Sequence, residues 1–343
     1  MPDKQNKGNR NLLSWLTSMR FAIYLLILVG AVSALGTIIP QGQSPAFYLY
    51  TYGNGTGAVI NLLSLGNLYQ AWWFSLLMLI LGLTILICSF QRLRHARSLA
   101  TVGSLVFHLS IVVILSGAAW SLGYARSAMV EVAEQQTVAL ADYGFGSGQL
   151  TLHSFVIDYY PDLQPRQYIS DISLTGYEQG DHHLKINVNN PLRAGNLKIY
   201  QSNWGWMLKI KLTTNGCSTQ VVDVKDYDVF PLGSGEDNAI RVVFLPDYAE
   251  DQHGAFSRTS QPNAPCLGLS LLQSGRAVDM ALMAPGEEAQ MGQYSFTFED
   301  FSYYSGLQLK YDPGVTLVFA GFILLLLGLL GRYWRLLFSR EGD

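Results

Sequence analysis

Hydrophobic positions along this chain follow two regimes. Four runs are almost unbroken apolar sequence: Phe21–Ile39, Trp72–Cys88, Val102–Leu122 and Val315–Gly331. Each comes close to the roughly 20 apolar residues that a helix needs to cross a bilayer. Between the third and fourth runs the pattern changes to short alternation, in "TLHSFVIDYY", "QYISDISLTGY", "HLKINVN", "NLKIYQ", "WMLKIKLTT", "STQVVDV", "IRVVFL", "LGLSLL" and "YSFTFEDF". A period of two is strand patterning. "TTNGC", "PLGSGEDN" and "LLQSGRA" supply turns between the strands. Nine or more strands, without a repeat or a convincing amphipathic helix, predict an antiparallel sandwich or barrel-like sheet. The expected fold class is a polytopic α-helical membrane protein with four transmembrane helices and a large extracytoplasmic all-β domain. The transmembrane helices fall at 21–39, 72–88, 101–122 and 313–331, and the β domain at 123–312. Its 190 residues are enough to bury a core of their own.

Charge decides the orientation. Lys4, Lys7, Arg10 and Arg20 precede the first span, Arg92, Arg94 and Arg97 lie between spans two and three, and Arg332, Arg335 and Arg340 follow span four. Segment 40–71 has no charged residue. Lys and Arg accumulate on the cytoplasmic side, so 1–20, 89–100 and 332–343 are expected there, with both termini cytoplasmic. The formal net charge of −3 then hides an asymmetry. The cytoplasmic pieces hold 10 Lys/Arg against 3 acids, and the remainder holds 12 against 22. An acidic outer domain argues against nucleic acid as a partner. Val32-Ser33-Ala34 has the form of a signal-peptide cleavage site, but the apolar run continues past it to Ile39, so 21–39 is read as a retained span. No Arg/Ser-rich transit segment precedes it, so a bacterial cytoplasmic (inner) membrane is expected rather than an organelle.

The uncharged segment 40–71 carries many aromatic residues. "AVINLLSLG" is too short to span and is expected to lie at the interface as a short helix. Tyr48, Tyr50, Tyr52, Tyr69, Trp72 and Trp73 suit an aromatic belt, or a surface covering a flat apolar ligand. "GNGTG" follows no strand and lacks the lysine of a phosphate loop, so it is read as a flexible turn.

One residue breaks the apolar pattern. His108 sits in "GSLVFHLSIVVILSGAAW", seven residues beyond Thr101, about 10 Å along a helix. An ionisable group at that depth faces protein or a cavity and points to function. A neutral imidazole bonded to a hydroxyl on a neighbouring span is the alternative. Gly103, Ser110 and Gly117 recur every seven residues as a stripe for close helix approach. His108 lies about 140–160° around from that stripe, facing something bulkier such as a cofactor or a partner. Neutral imidazole is a common metal ligand and an axial ligand of haem iron. No other span contains a histidine, so a second axial ligand would come from elsewhere. His95, His153, His182, His183 and His253 show no ligand spacing; His182 and His183 are adjacent on a strand and point to opposite faces. No catalytic set is identifiable by spacing. Of three cysteines, Cys88 closes span two, and Cys217 and Cys266 fall outside, where pairing is permitted but not decided. With no C-x-x-C, a thioredoxin-like role is unsupported.

Six pieces in order carry a family resemblance: "GTIIPQ" (36–41), "YQAWWF" (69–74), "CSFQR" (88–92), "FHLSIVVILSG" (107–117), "NNPLRAGNLKIYQSNWG" (189–205) and "YSGLQLKYDPG" (304–314). Across essentially its whole length the sequence resembles the ResB/CcsB family of cytochrome c biogenesis proteins (system II). The resemblance implies a membrane haem-export and haem-ligation complex shared with a ResC/CcsA-type membrane protein, in which this chain is the non-catalytic half of a haem lyase (cytochrome c synthase). It implies haem b held transiently and shared with that partner for thioether attachment to C-x-x-C-H of apocytochrome c, served by a thiol-disulfide reductant. The family's span histidine matches His108, which becomes the cofactor-binding residue and an axial ligand to haem iron. Trp72-Trp73-Phe74 lacks the Asp of the partner's "WWD" segment and is not that segment. A membrane-anchored ligand-binding or sensor module, or a scaffold without haem contact, would account for the architecture but leave His108 without a task.

Overall fold

A computed structural model describes residues 18–93, 98–162, 164–178, 180–214, 218–232 and 238–338. The chain forms two compact units, Met1–Ala125 with Asp312–Asp343, and Arg126–Tyr311.

The first unit is helical, with α1 (Met19–Ile38), α2 (Pro45–Leu62), α3 (Trp72–Leu93), α4 (Leu99–Tyr124) and α5 (Val315–Phe338). Among the described residues, α1, α3, α4 and α5 are long and apolar enough to cross a membrane. Two of them, α1 and α4, have starts capped from the sequence. Ser18 accepts from the Phe21 amide, and Ser98 and Thr101 exchange side-chain and backbone bonds in a capping box. Both devices satisfy amides that a helix leaves unpaired in its first turn.

The stripe of Gly103, Ser110 and Gly117 faces α5. That partner offers its own seven-residue series, Gly314, Gly321 and Gly328, running in the opposite direction. A Cβ on Gly103 would lie 2.5 Å from the Gly331 carbonyl carbon and 2.8 Å from the Gly328 oxygen. A Cβ on Gly328 would lie 2.5 Å from the Phe107 amide nitrogen, and one on Gly117 2.9 Å from the Gly314 oxygen. In lipid, helices gain no hydrophobic free energy by meeting, so this backbone-to-backbone packing holds the pair. At one end of the seam Asp312 Oδ1 accepts from Ser121 Oγ at 2.6 Å and from the Gly314 amide at 3.2 Å.

Segment 40–71 departs from expectation. "GNGTG" is not a free turn: it lies within α2, broken only at Gly53, whose φ of 76° suits a residue without Cβ. Helix α2 ends at Leu62, and Leu65–Gln70 form a 3-10 turn instead of continuing it. Tyr48 is buried rather than displayed with the exposed Tyr50 and Trp72. Its hydroxyl donates to the Pro40 carbonyl at 2.6 Å, while the Gln41 amide bridges Leu65 O and Leu68 N. The Pro-Gln of "GTIIPQ" thus anchors the segment to its own far end.

The second unit is all β. Its first eight strands are β1 (Arg126–Ala133), β2 (Thr137–Ala139), β3 (Gln149–Tyr159), β4 (Pro165–Thr175), β5 (His182–Asn187), β6 (Leu192–Ala194), β7 (Leu197–Thr214) and β8 (Ser218–Lys225). Then come β9 (Val229–Pro231), β10 (Asn238–Leu245), β11 (Tyr248–Asp251), β12 (Gly254–Ser257), β13 (Cys266–Gln273), β14 (Arg276–Met283), β15 (Glu288–Met291) and β16 (Tyr294–Tyr311). A central sheet runs β1-β16-β7-β6, with β15 on β16 and β8 on β7. Sheets β2-β3-β4-β5 and β14-β13-β10-β9 complete two sandwiches that share it.

Strands β7 and β16, 18 residues each, serve both cores. Leu197, Ile199, Leu307 and Leu309 pack with Leu150 and Ile172 in one core. Leu208, Ile210, Phe296 and Phe298 pack with Val242 and Leu269 in the other. The inward positions therefore change parity along each strand. Register shifts at Phe298/Asp300 and Gly306/Leu307 accompany the change, since one extra residue flips every later side chain. This explains why "NLKIYQ" and "WMLKIKLTT" read as two strands but form one. At the crossing, the Ser170 and Ser305 hydroxyls donate to Gln201 Oε1, so these buried polar groups are satisfied.

Tyr303 lies beside that crossing, stacked on Trp206 at 4.1 Å between centroids. Burial pushes its phenol up from 10 to about 12, with Tyr159 and Glu134 adding to the effect. A raised folded-state value stabilises the fold below the ordinary phenol pKa, and that contribution is lost as pH rises through about 12. Tyr303→Phe is expected to lose less stability than wild type on going above about pH 10, read as the thermal midpoint by tryptophan fluorescence. Parallel pH curves for the two proteins would contradict this.

Candidate functional site: an imidazole on an intramembrane cleft

His108 lies nine residues into α4, roughly 13 Å along its axis. It is half-buried. Its Nδ1 stands 2.6 Å from the Ser104 carbonyl oxygen one turn earlier. A carbonyl can only accept, so Nδ1 carries a proton, and in the neutral ring Nε2 keeps its lone pair. Phe107 meets the ring edge-on at 5.5 Å. No hydroxyl from another helix bonds the ring among the described residues, so the alternative of a satisfied interhelical histidine lacks its partner.

The ring lines a cleft of about 650 Å³. Ligand sites commonly measure about 300–1,000 Å³, mostly apolar with a few polar groups, and this cleft has that make-up. Leu26 from α1, Leu81 and Ile85 from α3, and Ile111 from α4 form its apolar wall. Gln91, Thr101 and Arg332 supply polar groups. The α4–α5 seam determines this geometry. Because Gly103, Ser110 and Gly117 take α5 on one side of α4, His108 is turned toward α1 and α3. Sequence reasoning placed Arg332 simply among the flanking positive charges, whereas this exposed residue is also among those that line the His108 cleft. The series Gly314, Gly321, Gly328 was the available signal, since it brings the end of α5 against Gly103.

The remaining histidines do not join this site. Sheet register brings His153 and His183, 30 residues apart in sequence, to 5.0 Å between ring centroids. His153 bonds Ser173 at 2.9 Å and His183 bonds Asp171 at 2.8 Å. No group of three or more His, Cys, Asp or Glu among the described residues is arranged to hold a metal. Cys266 is a buried free thiol, pushed up by burial. Cys217 and His95 lie outside the described residues.

Four membrane-length helices, a separate all-β unit and an imidazole on a cleft among the helices define a multi-span membrane protein with an extensive β region. The chain belongs to the ResB-like family, which matches residues 19–102 and 95–336. It is similar to the cytochrome c biogenesis protein CcsB of Nostoc sp. (strain PCC 7120 / SAG 25.82 / UTEX 2576), with 26% identity over 400 residues, covering 95% of this chain and 84% of that one. The CcsB protein of Synechococcus sp. (strain WH7803) is 27% identical over 380 residues, covering 91% and 86%. A solved cytochrome c haem lyase, CcmF, aligns with 91% of this chain and 39% of its own length, at 14% identity and a TM-score of 0.32. That likeness is too distant to define a shared fold.

Proposed function

We propose that this protein acts in cytochrome c biogenesis by holding haem within the membrane, with His108 Nε2 as one axial ligand to the iron. Haem is the cargo here, and a ResC/CcsA-type partner supplies the second ligand and the thioether chemistry on apocytochrome c. The observation that carries the reading is the Nδ1 bond to Ser104 O at 2.6 Å. Metal-ligating histidines characteristically donate their other ring N–H to a carbonyl or carboxylate, which fixes the ring and raises its basicity. The same bond leaves Nε2 as the unengaged ring nitrogen of a residue that lines the cleft, and the apolar walls suit a large flat macrocycle. Haem absorption of the chain co-purified with its partner tests this. Low-spin bands present in wild type and lost in His108→Ala support it; identical spectra would end it.

The charge distribution supports an orientation in which both termini and 89–100 are cytoplasmic and 123–312 is extracytoplasmic, in a bacterial inner membrane. A reporter active only in the cytoplasm, fused after Ser218, is expected to be silent. Reporter activity there would reverse the topology.

A further inference from the structure

We infer that Arg332 is an anion anchor that grips the carboxylates of a ring-shaped amphipathic ligand at one end of the cleft, while His108 takes the metal. This rests on the haem reading above and names what holds the other part of the cargo. Arg332 and His108 line one cleft but at different levels. The Arg332 backbone abuts Gly103, five residues before His108, about 7.5 Å along the α4 axis. The two side chains can therefore serve separate parts of one molecule.

No ion pair to Arg332 is formed among the described residues of its unit. Among the described residues, Asp312 is the sole carboxylate there. It sits at the opposite end of the seam, beside Gly314, and is bonded to Ser121. The side chains of Arg332 and Gln91 form no hydrogen bond or ion pair among the described residues. A guanidinium bordering a largely apolar cleft is thus left to an external anion. Its planar fork matches a carboxylate with two parallel bonds, and the Gln91 amide can add a donor on the same rim. A porphyrin fits this pattern: apolar ring, carboxylates on one edge, metal at the centre. The anchor sets which edge of the ring faces the Arg332 end.

Binding of metal-free protoporphyrin IX and of its dimethyl ester to the purified full-length chain in detergent reads the anchor without any iron–imidazole bond. Wild type is expected to prefer the diacid by about tenfold or more, the value of a charge-assisted bond. Arg332→Ala is expected to erase the preference, Arg332→Lys to keep part of it, and His108→Ala to leave it unchanged. An equal preference in wild type and Arg332→Ala, or no preference in wild type, would overturn the anchor and leave Arg332 as a residue contacting lipid phosphate or solvent. A parallel titration with haem separates the two ideas. If His108→Ala binds haem with a wild-type spectrum while the Arg332-dependent preference persists, axial ligation by His108 fails and the anchor stands.

Discussion

His108→Ala is expected to abolish haem retention by the complex and cytochrome c maturation, while the protein accumulates at wild-type level. Disturbing a mere outer partner of a metal ligand costs about 10–100-fold in metal affinity, so removing the ligand itself should cost on the order of a hundredfold or more. The fold should tolerate the change. His108 is half-buried on a cleft, it takes no part in the α4–α5 seam, and among the described residues its ring bonds only a backbone carbonyl of its own helix. Alanine also leaves room for a free ligand. Added imidazole should therefore enter the vacated position and restore part of the low-spin spectrum. The decisive contrast is with a variant that simply misfolds, which imidazole would not rescue. Normal maturation in His108→Ala cells would return the residue to a structural role.

Gly103→Ala and Gly328→Ala are expected to be strongly damaging single-methyl changes in the helical unit. The nearest backbone atom on the opposing helix would lie 2.3 Å from the Gly103 Cβ and 2.5 Å from the Gly328 Cβ, and backbone cannot swing aside as a side chain can. The helices must separate along the seam, at a cost typical of overpacking, about 1–3 kcal/mol or more. Separation also forfeits the close dispersion contacts that hold the pair in lipid. Gly30 provides the internal control, because a Cβ there meets nothing within 4 Å. Thermal midpoints of the detergent-solubilised proteins should fall clearly for Gly103→Ala and Gly328→Ala and stay at the wild-type value for Gly30→Ala. Equal midpoints would mean that the seam is looser than its geometry requires. Haem retention should fall with the first two variants as well, since the seam sets where Arg332 lies relative to His108.

Much of this architecture was legible without coordinates, because it rests on local periodicity. Unbroken apolar runs marked the spanning helices. A period of two marked the β region. The seven-residue series from Gly103 to Gly117 marked a face for close packing and turned His108 away from it. "LLQSGRA" marked a hairpin, realised by Ser274 and Gly275 at φ 49° and 78°, the left-handed pair that tight hairpins favour. Each of these signals is carried by residues within a few turns of one another.

What only the tertiary structure decided is what those faces meet. That α5 is the helix packed on the glycine stripe, that Arg332 consequently borders the His108 cleft, and that Tyr48 turns inward to bond Pro40 all depend on contacts between residues far apart in sequence. Strands β7 and β16 show the limit of periodicity most plainly. Their bulges change the phase of alternation, so a continuous strand looks broken until its partner shows where the extra residue lies. His153 and His183 likewise become neighbours only through the register of three strands. The sequence determined the imidazole's depth and the direction it turns from. Its surroundings, the bond to Ser104 and the walls that α1, α3 and α5 bring to the cleft, come only from the fold, because a nitrogen's availability is set by its neighbours in space.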